Sequence, residues 1–197
     1  QDINLPDTKH AAVLPSPYPR ARILSIDTAA AEALDGVHMV LTGEQMAVDC
    51  NPIRLGLKLP EINWYPLAVG MTCYVGEWVA IAVADDPYIA EDALDLIEVE
   101  YEPLPAVVDP EQAFADTDLL VHPGHGSNVL YHGNFLWGTV AEDFAAADDS
   151  LTFRARWGRS STVPIETFGA LARWDEGTEI MDIWASIQMP NFVELMA

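Results

Sequence analysis

A carboxylate, an amide and three imidazoles are the groups in this chain whose surroundings could do chemistry. Glu166 stands in an otherwise apolar run, with Pro164-Ile165 before it and Phe168-Gly169-Ala170-Leu171 after it. An unpaired carboxylate in a core is costly or is forced to protonate, so Glu166 must face solvent or find donors, and Arg159 is a candidate partner. A structural ion pair and a role beside a cofactor both remain open. Gln188, next to Pro190, carries an amide that donates and accepts, which suits a cofactor edge and local backbone equally well. His122, His125 and His132, with Asp116 and Asp118 upstream, combine imidazole with carboxylate as zinc or iron sites do. Their spacing matches no helical histidine pair and no zinc-finger pattern, so they are read as polar loop residues of a linker and no metal site is expected. Ser160, Ser161 and Thr162 could be drawn into a triad with Glu166 and a histidine, but no Gly-x-Ser-x-Gly turn presents a serine at an elbow. Gly76-Glu77 lacks the Gly-x-Gly-x-x-Gly pattern of a dinucleotide loop.

The elements that must position these groups read most clearly in the middle of the chain. Val79–Ala84 is a nearly continuous apolar run bounded by Gly76 and Asp85-Asp86-Pro87, as expected of a strand covered on both faces. From Pro87 the period changes: Ile89, Ala90, Ala93, Leu94 and Ile97 recur at helical spacing, with Asp86 placed to cap and Pro87 at the first helical position. Alternation then returns, Ile97, Val99 and Tyr101 against Glu98, Glu100 and Glu102, so this strand has one face in solvent. Upstream, strands are expected near Ala11–Leu14, Arg22–Ile26 and Val37–Leu41, with a short helix over Thr28–Leu34. A capped turn is expected at Thr42, where Gln45 sits in capping-box position. The region from Ala47 to Pro66 is irregular, and Asp109-Pro110-Glu111-Gln112 starts another short helix. Residues 111–135 read as a linker. Beyond it come a short helix over Val140–Ala147 and strands at Leu151–Trp157, Thr167–Trp174 and Ile180–Ile187. The last two strands turn at Asp175-Glu176-Gly177-Thr178, and a helical start lies at Asn191–Ala197.

Composition sets outer limits. At 197 residues, half of them hydrophobic, the chain can bury one core or two small ones. A formal net charge of −22, with no Lys or Arg between Lys58 and Arg154, repels phosphate backbones and disfavours nucleic-acid binding. The acidic surface is read as a solvated face, a dock for basic partner regions or an adaptation to salt. No apolar run is long enough for a membrane span, and the first residues are not a secretory signal, so a cytoplasmic location without membrane insertion is expected. Cys50 and Cys73 are too few for a disulfide framework or a closed zinc site and are expected to be reduced, small hydrophobes.

Several of these stretches, in collinear order, resemble the large, molybdenum-binding subunit of the xanthine dehydrogenase, aldehyde oxidase and carbon monoxide dehydrogenase family. They are Asp2–Pro6, His10–Leu14, Ser16-Pro17, Ala21–Thr28, Gly36–Glu44 and Tyr74–Asp109, then Pro164–Ala172 and Trp184–Pro190 near the end. The family usually has arginine where Pro15 stands, histidine where Arg20 stands and proline where Trp78 follows Gly76-Glu77. Its Gly-Gly-Phe-Gly segment and distal catalytic glutamate are not found in this sequence.

The resemblance implies an α+β chain: an α/β hammerhead domain over residues 1–110, a linker over 111–135, and over 136–197 the beginning of a molybdopterin-binding α+β domain. It implies an oxidoreductase that inserts a water-derived hydroxyl into an aldehyde, N-heterocycle or similar carbon, or oxidises carbon monoxide. The implied cofactor is molybdenum–molybdopterin, with iron–sulfur clusters and often FAD on partner domains or subunits. The remaining large-subunit polypeptide and the iron–sulfur and flavin subunits are the implied partners. No catalytic residue is expected within these 197 residues, which alone should be inactive. Gln188 and Glu166 would then be cofactor-binding as wall or outer groups. A non-catalytic acidic scaffold that retains the hammerhead fold is the alternative.

Overall fold

A computed structural model describes residues 3–54, 62–115, 118–158, 163 and 165–189. The chain divides into two units, residues 1–132 and 133–197. In the first, β1 (His10–Pro15), β2 (Ala21–Asp27), β3 (Val37–Thr42), β4 (Met71–Thr72), β5 (Trp78–Ala84) and β6 (Glu98–Pro103) form two three-stranded antiparallel sheets. Their orders are β1-β5-β3 and β4-β2-β6.

The strand expected at Val79–Ala84 is β5, central in its sheet, with Val79, Ala80, Ala82 and Ala84 buried. Small side chains on one face let α1 (Ala29–Glu32) and α3 (Pro87–Asp95) approach closely. Ala31, Val40, Ala80, Ala82, Ala93 and Ile97 make up that core, with Leu94 and Val99 packed around it. The start of α3 follows the sequence reading: the Asp86 carboxylate accepts from the N–H groups of Tyr88 (2.8 Å) and Ile89 (2.9 Å), and Pro87 opens the helix. In β6, Val99 and Tyr101 are half-buried while Glu98, Glu100 and Glu102 are exposed, the alternation that period-two patterning demands. Gly36, at φ +89°, makes the turn into β3, and a Cβ there would lie 2.9 Å from Cδ1 of Ile89.

At the start of α2 (Gly43–Asp49) the Gln45 side-chain oxygen accepts from the N–H (2.8 Å) and hydroxyl (3.1 Å) of Thr42. The Asp109 carboxylate similarly accepts from the N–H groups of Glu111 (2.8 Å) and Gln112 (3.1 Å), opening α4 (Pro110–Ala115).

In the second unit, α5 (Val140–Ala146) precedes a hairpin of β7 (Ala170–Asp175) and β8 (Ile180–Ala185). Its turn is the expected one, with the Asp175 carboxylate accepting from the N–H groups of Gly177 and Thr178, both 2.9 Å away. The short helix expected over Thr28–Leu34 is present as the single turn of α1, capped by Thr28 and Ala33. Two expectations need correction. Leu151–Trp157 alternates like a strand but is not one: no strand among the described residues pairs with it, so its backbone groups have no ladder to join. Cys50 is exposed rather than a small buried hydrophobe, and Cys73 is only partly buried. The helical start expected at Asn191–Ala197, Asp116, and Arg159 with Ser160, Ser161 and Thr162 lie outside the described residues.

Candidate functional site

The β7–β8 hairpin positions the two residues expected near a cofactor. In register, Ala170 faces Ala185, and the pairing is extended by one step: Ser186 N–H donates to the Gly169 carbonyl (3.0 Å), and Gly169 N–H donates to the Ser186 hydroxyl oxygen (3.0 Å). Glu166, just before Thr167, and Gln188, two residues beyond Ser186, are therefore brought to the same open end of the hairpin. The ribbon itself is fastened by the Arg173–Asp182 ion pair (2.5 Å) and by the Arg173 guanidinium lying 5.7 Å from the Trp184 ring centre. Ser186, which ties the two ends together, escaped sequence reasoning, since a lone serine at a strand end leaves no periodic trace.

Glu166 and Gln188 are both exposed, and among the described residues neither has a side-chain hydrogen bond or ion pair. Their chemistry, one acceptor group and one donor–acceptor amide, suits a pterin edge, but a bound pterin needs groups converging from several sides. The described residues do not supply that enclosure: Phe135, Trp137, Phe144, Phe153, Trp157, Ile165 and Phe168 all stand exposed in the same unit. These residues alone do not enclose a pterin.

The three loop histidines do not converge on a metal: among the described residues no cluster of three or more His, Cys, Asp or Glu is placed to hold one. The His125 ring is bonded through Nε2 to the Val129 carbonyl (3.2 Å). His122 is half-buried, and burial, then His125 and Arg20, push its pKa down, favouring neutral imidazole. Nearby chemistry is equally structural. The Cys73 thiol is pushed up to about 11, by burial first and then by Glu77, so it is protonated at neutral pH. Burial also raises Glu77, against the lowering effect of backbone N–H groups from Cys73 and Tyr74.

Comparison with known proteins places this arrangement. Residues 1–105 match the aldehyde oxidase and xanthine dehydrogenase a/b hammerhead domain, and residues 121–197 match the molybdopterin cofactor-binding domain. Quinoline 2-oxidoreductase from Pseudomonas putida 86 superposes with a TM-score of 0.88 at 37% identity over 99% of this chain and 25% of that one. The nicotine 6-hydroxylase large subunit of Paenarthrobacter nicotinovorans is 34% identical over 98% of this chain and 24% of its own length. The carbon monoxide dehydrogenase large chain of Hydrogenophaga pseudoflava is 31% identical over 98% of this chain and 25% of its own. The fold is thus that of molybdenum hydroxylase large subunits, an α+β hammerhead followed by cofactor-domain structure. The chain belongs to the aldehyde oxidase and xanthine dehydrogenase family, and it spans about a quarter of the length of each of these three relatives.

Proposed function

We propose that these 197 residues are part of the large subunit of a molybdenum hydroxylase that acts on an N-heterocycle or a similar electron-poor carbon. The observation that carries this reading is the succession, in one chain, of a hammerhead match and a molybdopterin-domain match. Two relatives whose names specify nicotine and quinoline favour an N-heterocycle over an aldehyde or carbon monoxide. Molybdenum–molybdopterin is the proposed cofactor, iron–sulfur clusters and often FAD on partner subunits carry electrons away, and the complex works in the cytoplasm. The proposed division is a hammerhead over 1–110, a linker over 111–135 and cofactor-domain structure over 136–197. Glu166 and Gln188 stand at the cofactor wall, and the catalytic residues come from the rest of the large subunit.

No helix among the described residues is long and apolar enough to cross a membrane. The test is substrate-dependent dye reduction by the complete large subunit purified with its partners, offered quinoline, nicotine, benzaldehyde and carbon monoxide in turn. Turnover of the heterocycles supports the reading. Turnover of benzaldehyde or carbon monoxide alone overturns the substrate class, and an assembled complex inert to all four favours a non-catalytic acidic scaffold.

A further inference from the structure

The stretch between the two family matches, residues 106–120, begins and ends on one side chain. Arg20, only 8% exposed, donates from Nη1 to the Pro105 carbonyl (3.1 Å) and from Nη2 to the Leu120 carbonyl (2.6 Å). Its own carbonyl accepts from the Leu104 N–H (3.0 Å), so both its backbone and its side chain hold the end of β6. Asn128 makes a second tie: its amide nitrogen donates to the carbonyls of Ala113 (3.1 Å) and Leu119 (2.9 Å), and its oxygen accepts from the Val121 N–H (2.9 Å).

Among the described residues of this stretch no apolar side chain is fully buried. Helix α4 has no buried residue, and Val108 and Phe114 are 85% and 75% exposed. A buried guanidinium is costly when it faces carbonyls rather than a carboxylate, and the Nε of Arg20 is buried with no partner among the described residues. What the guanidinium offers in return is a planar fork that grips two carbonyls at once, which a lysine point charge does not.

We infer that Arg20 is a latch that holds Leu120, at the far end of the stretch between the two family matches, to the end of β6, with Asn128 as its second tie. This goes beyond the proposed function and needs none of its chemistry. The test is hydrogen exchange read by mass spectrometry on the full-length protein and on Arg20→Met, Arg20→Lys and Asn128→Ala variants. Arg20→Met keeps the length and packing of the side chain and removes the fork. Exchange across residues 106–128 should quicken at least about tenfold, as expected for a lost hydrogen bond to a charged group, while the β1-β5-β3 strands keep their protection. Arg20→Lys should fall between, and Asn128→Ala should expose residues 113–121 alone. Unchanged protection of the loop in Arg20→Met, or equal loss over loop and strands, overturns the latch. Should Arg20→Met fail to fold, Asn128→Ala decides: loosening confined to 113–121 supports the tie, and unchanged exchange there overturns it.

Discussion

Gly43 opens helix α2 at a point where no side chain fits. A Cβ built on it would lie 2.0 Å from the Ala68 oxygen, 2.6 Å from the Ala68 carbonyl carbon and 3.1 Å from the Leu67 oxygen. Relief needs a movement of about 1 Å, since Cβ contacts under 3.0 Å are essentially never seen. The obstructing backbone cannot easily retreat. Leu67 and Ala68 are buried, and Ala68 N–H donates to the Trp78 carbonyl in the β5 strand (2.7 Å). On helix propensity alone, Gly→Ala stabilises by about 0.5–1 kcal/mol. Overpacking against fixed backbone costs about 1–3 kcal/mol, so with the upper end applying here Gly43→Ala should destabilise by about 2 kcal/mol. For a unit of this size that lowers Tm by roughly 8 °C. Calorimetry of the intact protein measures it, with Gly124→Ala as control, because among the described residues nothing lies within 4 Å of a Cβ at Gly124. A Gly43→Ala variant as stable as the parent or as the control would refute the packing of α2 against residues 67–68.

Three further outcomes are expected. Ala93→Asp, at a fully buried position of α3, should cost about 3–5 kcal/mol by burying an uncompensated charge, and an unchanged urea midpoint would contradict the helix-on-sheet packing. Hydrogen bonds from His38 Nε2 (2.7 Å) and Lys9 Nζ (2.5 Å) hold the Asp85 carboxyl at about 2 instead of 3.8. Because the folded value is the lower one, its stabilisation is present above 3.8 and lost as pH falls toward 2. Asp85→Asn should therefore flatten that part of the acid-unfolding curve followed by circular dichroism, and coincident curves would count against the tie. In the assembled enzyme, Gln188→Ala should lower cofactor retention about 10- to 100-fold, measured as molybdenum kept after dialysis. Full retention would remove Gln188 from the cofactor wall.

What the sequence disclosed followed from period and caps. Asp86-Pro87 and the spacing of Ala90 and Ala93 marked α3, and the Glu98-Glu100-Glu102 row marked the exposed face of β6. Non-local pairing stayed hidden. Strand β4 is only Met71–Thr72, defined by its partners Ala21 and Arg22 rather than by any pattern of its own. Conversely, Leu151–Trp157 has the alternation without a partner among the described residues, so period alone overstated it. The junction read as an aperiodic linker because its order comes from polar ties, Arg20 and Asn128 to carbonyls, which need no recurring apolar residue. For the candidate site, Glu166 and Gln188 were legible as chemical groups and the hairpin as their scaffold. Ser186, which joins the strand ends, emerged only from the register.

The most direct test of the central claim is the molybdenum and pterin content of the complete large subunit, purified with the subunits that accompany it. Elemental analysis and fluorescence of the oxidised pterin, on one preparation, give both quantities. Membership of a working molybdenum hydroxylase predicts molybdenum and pterin in equal amounts, stoichiometric with the subunit. A correctly assembled complex that contains iron–sulfur clusters but neither molybdenum nor pterin would contradict it.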